Sequence, residues 1–141
     1  MVLSLLFGKK YAQTKIGAVF LDATLSETHN YVARVSSFPI EYNFSISDHV
    51  VIEPISLSIR GLVSDTPLNI LSPFNRSIDA FNALINVFNR KERLSIVTGI
   101  KVYRNMLITN LNIPRDVGTG QSITFDIQLQ QVLYDTDIRL N

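Results

Sequence analysis

The chain has 141 residues, with 13 Lys and Arg against 12 Asp and Glu, two His, no Cys and no Trp. A formal charge of +1 gives no electrostatic ground for binding nucleic acid or an anionic membrane, and the missing Cys exclude disulfides, thiolate nucleophiles and Cys-ligated zinc. With 46% hydrophobic and only 18% charged residues, the composition excludes disorder, fits one domain, and implies a surface covered either by Ser, Thr, Asn and Gln or by other proteins.

Residues 1–14 read as a short N-terminal arm, and residues 15–141 as a single β-rich domain. In the arm Val2, Leu3, Leu5, Leu6 and Phe7 are apolar, and Lys9 and Lys10 follow them. A signal peptide has the opposite order, and a membrane span needs about 20 apolar residues in a row. The arm is therefore expected to pack on its own domain or on a neighbour, in a chain made in the cytoplasm.

From Lys15 the two-residue period of a half-buried strand sets in. Leu21, Ala23 and Leu25 alternate with Asp22, Thr24 and Ser26, and Glu27-Thr28-His29-Asn30 reads as a polar turn. Tyr31, Ala33 and Val35 alternate with Arg34 and Ser36, and Pro39 puts the end of that strand at an edge or a bend. Ile40, Tyr42, Phe44 and Ile46 alternate with Glu41, Asn43 and Ser45 until Asp48-His49 interrupts as a turn. Pro54 breaks the next run, after which Leu57 and Ile59 face away from Ser56, Ser58 and Arg60.

The period then changes once. Ile78, Phe81, Leu84, Ile85 and Phe88 stand at helical spacing, widened by Ala80, Ala83 and Val87, and predict one amphipathic helix near 75–92 laid over a sheet. Asn75, Asp79, Asn82, Asn86 and Asn89 take its other face, with Ser72-Pro73 or Ser77 as caps and Arg90-Lys91-Glu92-Arg93 at the end that favours cations. Strands resume at Leu94, with Arg104-Asn105 as a turn and 114–120 as a loop. In the last strand Ile123, Phe125, Ile127 and Leu129 alternate with Thr124, Asp126, Gln128 and Gln130. The fold class is mainly β (α+β): an antiparallel barrel or sandwich with one helix packed on it.

Motifs for chemistry are sparse. Adjacent residues of an extended strand point to opposite faces, so Asp48 and His49 do not naturally form an acid–base pair. An architectural turn in which Asp48 bonds its own backbone accounts for them instead. His29 with His49, Asp48 or Glu53 lacks metal-ligand spacing. Gly118-x-Gly120 lacks the third Gly and the following helix of a phosphate loop, and the other carboxylates are scattered. No enzyme activity, cofactor or metal is expected.

The ordered set of features is more informative. Leu21-Asp22-Ala23, Ser26-Glu27-Thr28-His29, Phe38-Pro39-Ile40-Glu41, Ile46-Ser47-Asp48-His49-Val50 and Leu57-Ser58-Ile59-Arg60-Gly61 precede the helix. Ser95-Ile96-Val97-Thr98-Gly99, Tyr103-Arg104-Asn105-Met106-Leu107-Ile108 and Ser122-Ile123-Thr124-Phe125 follow it. Together with Leu5-Leu6-Phe7-Gly8-Lys9-Lys10, this order resembles the Dit-like tail proteins of bacteriophages, in the N-terminal-domain type of contractile-tailed phages. The chain departs from the pattern at Tyr42-Asn43-Phe44, where members often carry an acidic residue and Gly.

The resemblance implies a structural virion protein without catalytic residues, synthesised in the host bacterial cytoplasm. It implies a homo-oligomeric ring, hexameric by expectation, at the tail tip or baseplate. There the ring bridges the tail tube or hub to other baseplate proteins or sheath, with no nucleic acid and no membrane as partner. Candidate oligomer or partner contacts are Val2, Leu3, Leu5, Leu6, Phe7, Tyr42 and Phe44. Two other readings stay open: a receptor- or carbohydrate-binding adaptor using Tyr31, Tyr42 or Tyr103, and a small hydrolase built on Asp48, His49 and a carboxylate.

Overall fold

Alternating polar and apolar residues favour antiparallel strands, because one face can be dried while the other stays wet. A computed structural model of the chain describes residues 13–39, 45–65, 76–116, 118 and 122–133. They form β1 (Lys15–Ile16), β2 (Val19–Phe20), β3 (Ala23–Asn30), β4 (Ala33–Pro39), β5 (Ser45–Ile52), β6 (Ser56–Ser64), α1 (Arg76–Arg90), β7 (Leu94–Val97), β8 (Val102–Asn112) and β9 (Ser122–Gln131). The chain is thus mainly antiparallel β with one helix among the described residues, as its periodicity predicts.

Seven strands make one sheet in the order β2-β1-β7-β8-β9-β6-β3, and β4 with β5 forms a separate two-stranded sheet. The two end strands of the large sheet, β2 and β3, are joined by Leu21 and Asp22 alone. Three Cα steps reach at most about 11 Å, so the sheet must roll until its ends meet at that corner. The ends are not laddered together, and the sheet stays open and sandwich-like rather than closing into a barrel. Leu21 is buried at the corner and lies against Gly61 of β6, where a Cβ would collide with its side chain.

The rolled sheet encloses the core. β6 contributes Leu57, Ile59 and Val63; β9 contributes Phe125, Ile127 and Leu129; β8 contributes Tyr103, Met106 and Ile108. The alternation read in β6 is the alternation observed, with Ser58 and Arg60 outside; in β9 Gln128 and Gln130 are outside as expected, but Thr124 is buried beside Phe125 and Ile123 only partly so.

Bulges replace several expected turns. Arg104 and Asn105 lie inside the continuous strand β8, where the register against β7 shifts between Leu94/Met106 and Ile96/Tyr103. Asn105 takes a φ of 58° there, a left-handed conformation that Asn tolerates better than most residues. Glu27 to Asn30 likewise belong to β3 and do not form a turn. The actual connection to the next strand is Tyr31-Val32, with the Glu53 N–H bonded to the Val32 carbonyl at 2.8 Å.

Helix α1 packs on β2, β6 and β8. Its buried residues are Ser77, Ala80 and Leu84, with Ala83 and Val87 partly buried beside them. The expected face is therefore rotated: Ile78, Phe81 and Phe88 are exposed. Small side chains let the helix axis approach the sheet closely, and that contact prevails over the larger apolar residues at the flank.

Candidate interaction surfaces

Of the expected contact residues, Val2, Leu3, Leu5, Leu6, Phe7, Tyr42 and Phe44 lie outside the described residues. So do Ser72 and Pro73 of one expected helix cap. Ser77, the other, is already within α1 and receives a cap from elsewhere: Asp65 accepts its backbone N–H at 2.8 Å and its hydroxyl at 2.7 Å. These bonds, with Arg76 close by, hold the Asp65 carboxyl below its ordinary range. At the same end Asp22 accepts the Ser64 N–H and the Arg76 guanidinium, both at 2.7 Å, which ties α1 to the Leu21-Asp22 corner.

Asp48 and His49 form no turn. They lie within β5, where Ser36 pairs with His49 and Ser37 with Ser47, so Asp48 is the extra residue of a β-bulge. A bulge interrupts the alternation as a turn does, which is why the sequence pattern does not separate the two. The Ser36 hydroxyl donates to the His49 carbonyl at 3.2 Å beside this bulge.

The β4–β5 hairpin is amphipathic. Directly paired residues share a face, so Ala33/Ile52 and Val35/Val50 stand on one side, while Arg34/Val51 and Ser36/His49 stand on the other. The polar side carries an ion pair between Arg34 and Glu53. The apolar side is bare: Val35 is 56%, Val50 59% and Ile52 76% exposed. A two-stranded hairpin is marginal in water by itself, and this one displays the face that a partner would stabilise.

A second bare apolar surface runs along α1. Ile78, Phe81, Ile85 and Phe88, spaced three, four and three, line the helix beside its buried face. Ile78 is 50% exposed, Phe81 and Phe88 are exposed, and Ile85 is half-buried. Five or more large apolar residues over one short helix exceed what its contact with the sheet can bury, and this surplus is a signal visible in the sequence.

Between the meeting ends of the sheet lies a polar seam that sequence reasoning missed. Thr24 of β3 donates to the Thr14 hydroxyl at 2.7 Å, and Thr14 donates to Glu27 at 3.0 Å. Glu27 lies 3.4 Å from His29 Nε2, while His29 Nδ1 is 2.7 Å from the Tyr103 hydroxyl, itself 2.8 Å from that of Tyr31. A proton on Nε2, facing Glu27, leaves Nδ1 to accept the Tyr103 O–H. The seam thus links β3, the approach to β1, and β8, although β3 and β8 are not ladder neighbours.

Burial, the bond to Tyr31 and the Glu27 charge push the Tyr103 hydroxyl up to about 12. Exposed Tyr31 moves the opposite way, chiefly through the hydrogen bond it shares with Tyr103 and also through Lys101. The Lys101 ammonium stands 5.8 Å from the Tyr31 ring centroid and 5.4 Å from that of Tyr103. Of the expected recognition aromatics, Tyr103 is thus a core residue and Tyr31 is exposed.

Comparison with known proteins agrees with this architecture. The family model described as Dit-like phage tail protein matches residues 21–139. Two solved structures share the fold at 10% sequence identity. One is a chain in the virion of a native gene transfer agent particle, with a TM-score of 0.57, covering 86% of this chain and 92% of that one. The other is a chain in the tail of an empty gene transfer agent particle with C6 symmetry, with a TM-score of 0.59, covering 90% and 94%. No curated protein matches the chain.

Proposed function

The chain belongs to the Dit-like phage tail protein family, as a structural tail protein, and on that basis we propose that it forms a homo-oligomeric ring at the tail tip or baseplate. The ring bridges the tail tube or hub to the proteins around it. The observation that supports this reading is the apolar face of β4–β5, which is formed and paired while Val35, Val50 and Ile52 stand exposed among the described residues. A hexamer is supported by the C6 symmetry of the tail whose chain shares this fold. A low-charge surface favours such packing, because few ions need desolvating when copies meet.

In this reading residues 15–141 act as one domain, and the arm reaches a neighbour through Val2, Leu3, Leu5, Leu6 and Phe7. Tyr42 and Phe44 add contacts beyond β4 and β5, and the Asp48-His49 bulge shapes the hairpin without chemistry of its own. Its partners are further copies of itself and other tail proteins, within the virion.

The test is direct. Purified particles are probed for the chain and their tails imaged at a resolution that separates subunits. A ring containing this chain at the tail tip is expected, and absence of the chain from intact particles would overturn the proposal.

A further inference from the structure

The end of β9 aims the chain along an open strand edge. Gln131 donates its N–H to the Ile55 carbonyl just before β6, and Val132 donates to the Asn105 carbonyl of β8, both at 2.8 Å. Backbone groups alternate in direction along a strand, so those of Tyr134 turn toward β8 as those of Val132 do. β8 pairs with β9 only from Met106 onward, whereas Val102 and Tyr103 pair with β7 alone. The Thr98 N–H donates to the Lys101 carbonyl at 3.0 Å, and the same alternation turns the N–H and C=O of Val102 away from β7. Among the described residues nothing pairs with that side of Val102, and such an edge is a ready template for one more strand.

The residues that follow have the pattern to fill it. Tyr134, Thr136, Ile138 and Leu140 alternate with Asp135, Asp137 and Arg139, the two-residue period of a strand with one apolar face. The family match also runs to residue 139, past the end of β9. We infer that residues 134–140 dock on their own molecule, carrying the line of β9 along the edge of β8 at Val102. The register follows from the bulge. Arg104 and Asn105 both turn their carbonyls to β9, where Gln131 Nε2 at 3.3 Å and the Val132 N–H meet them. These two residues therefore stand opposite Val132 together, so Tyr134 falls opposite Val102 and Asp135 opposite Lys101.

Both pairings satisfy groups left over elsewhere in the fold. Val102 is 50% exposed and gains an aromatic neighbour on its own face. Lys101 stands over the Tyr31 and Tyr103 rings but has no carboxylate partner among the described residues. Asp135 supplies one directly across the ladder. A slip of one residue loses both pairings, because it turns every side chain of the segment to the other face.

Two measurements on the isolated full-length chain test this. In the wild type, hydrogen exchange at the Val102 amide is expected to be at least about tenfold slower than at an unprotected amide, because the Tyr134 carbonyl accepts its N–H. Exchange at the unprotected rate overturns the inference. The chain has no Cys, so register is read by combining Val102→Cys with Tyr134→Cys under mild oxidation in dilute solution. An intrachain disulfide is expected, since directly opposite residues stand within bonding reach, while Val102→Cys with Asp137→Cys stays reduced. Lys101→Cys with Asp135→Cys reads the same register if the first pair fails to fold. Equal closure of the matched and mismatched pairs shows a segment without a fixed register and overturns the inference. Disulfides formed only between chains give the edge to a second copy and overturn it equally.

Discussion

Tyr103 occupies an unusual position for a tyrosine in a sheet: its ring is core and its hydroxyl is the hub of the seam between β3 and β8. Removing that oxygen by Tyr103→Phe leaves His29 and Tyr31 without their shared partner and is expected to cost about 1–3 kcal/mol, lowering the thermal midpoint by several degrees. The pH dependence follows from the raised value. The unfolded chain releases this proton near the ordinary 10.0, whereas the folded chain holds it to about 12. The contribution is therefore complete below pH 10 and is lost as pH rises through about 12. Thermal midpoints measured across that interval should fall for the wild type and show a shallower fall for Tyr103→Phe; parallel curves would contradict the assignment.

The seam also explains one misread stretch of sequence. Glu27 and His29 look like turn residues because strands rarely turn such groups inward. Here Thr14 and Tyr103, both distant in sequence, receive them. No local pattern carries that information.

Helix α1 shows both what patterning gives and what it withholds. Its span is close to the expected 75–92, because the change of period from two to 3.6 is a local property. Its orientation is not local. Ala80, Leu84 and Ser77 were selected by the space available over β2, β6 and β8, and the wide apolar arc offered the sheet a choice of faces. Leu84→Ala is accordingly expected to cost about 2–5 kcal/mol in the isolated protein, whereas Phe81→Ala changes monomer stability by less than about 1 kcal/mol and weakens assembly. Urea unfolding of the isolated chain, set beside incorporation into particles, checks the contrast. Equal destabilisation by the two substitutions would return Phe81 to the core. The same distinction holds for bulges and turns: Asp48-His49 and Arg104-Asn105 are legible as interruptions, but only strand partners reveal that the chain continues straight through them.

At the scale of the molecule, the low charge of 18% raises the question of covered surface before any element is placed. Which surfaces are bare could not be read from it, because the hairpin alternates like any half-buried strand and only the missing layer distinguishes it. The arm belongs to the same scale. If the arm reaches a neighbour as proposed, a chain without residues 1–8 should unfold at nearly the wild-type denaturant concentration yet enter particles poorly. Normal incorporation of the shortened chain would remove the arm from the assembly.

The position of β9 has a bearing on the order of events during synthesis. β9 lies between β6 and β8, yet it is the last of the described strands to leave the ribosome. Until then β6 has lost its inner neighbour, β8 has no partner on one side, and the corner at Leu21-Asp22 joins two ends of a sheet that has no middle. Pairings this distant in sequence form late, so a nascent or prematurely released chain displays its hairpin before it owns a rolled sheet to anchor α1.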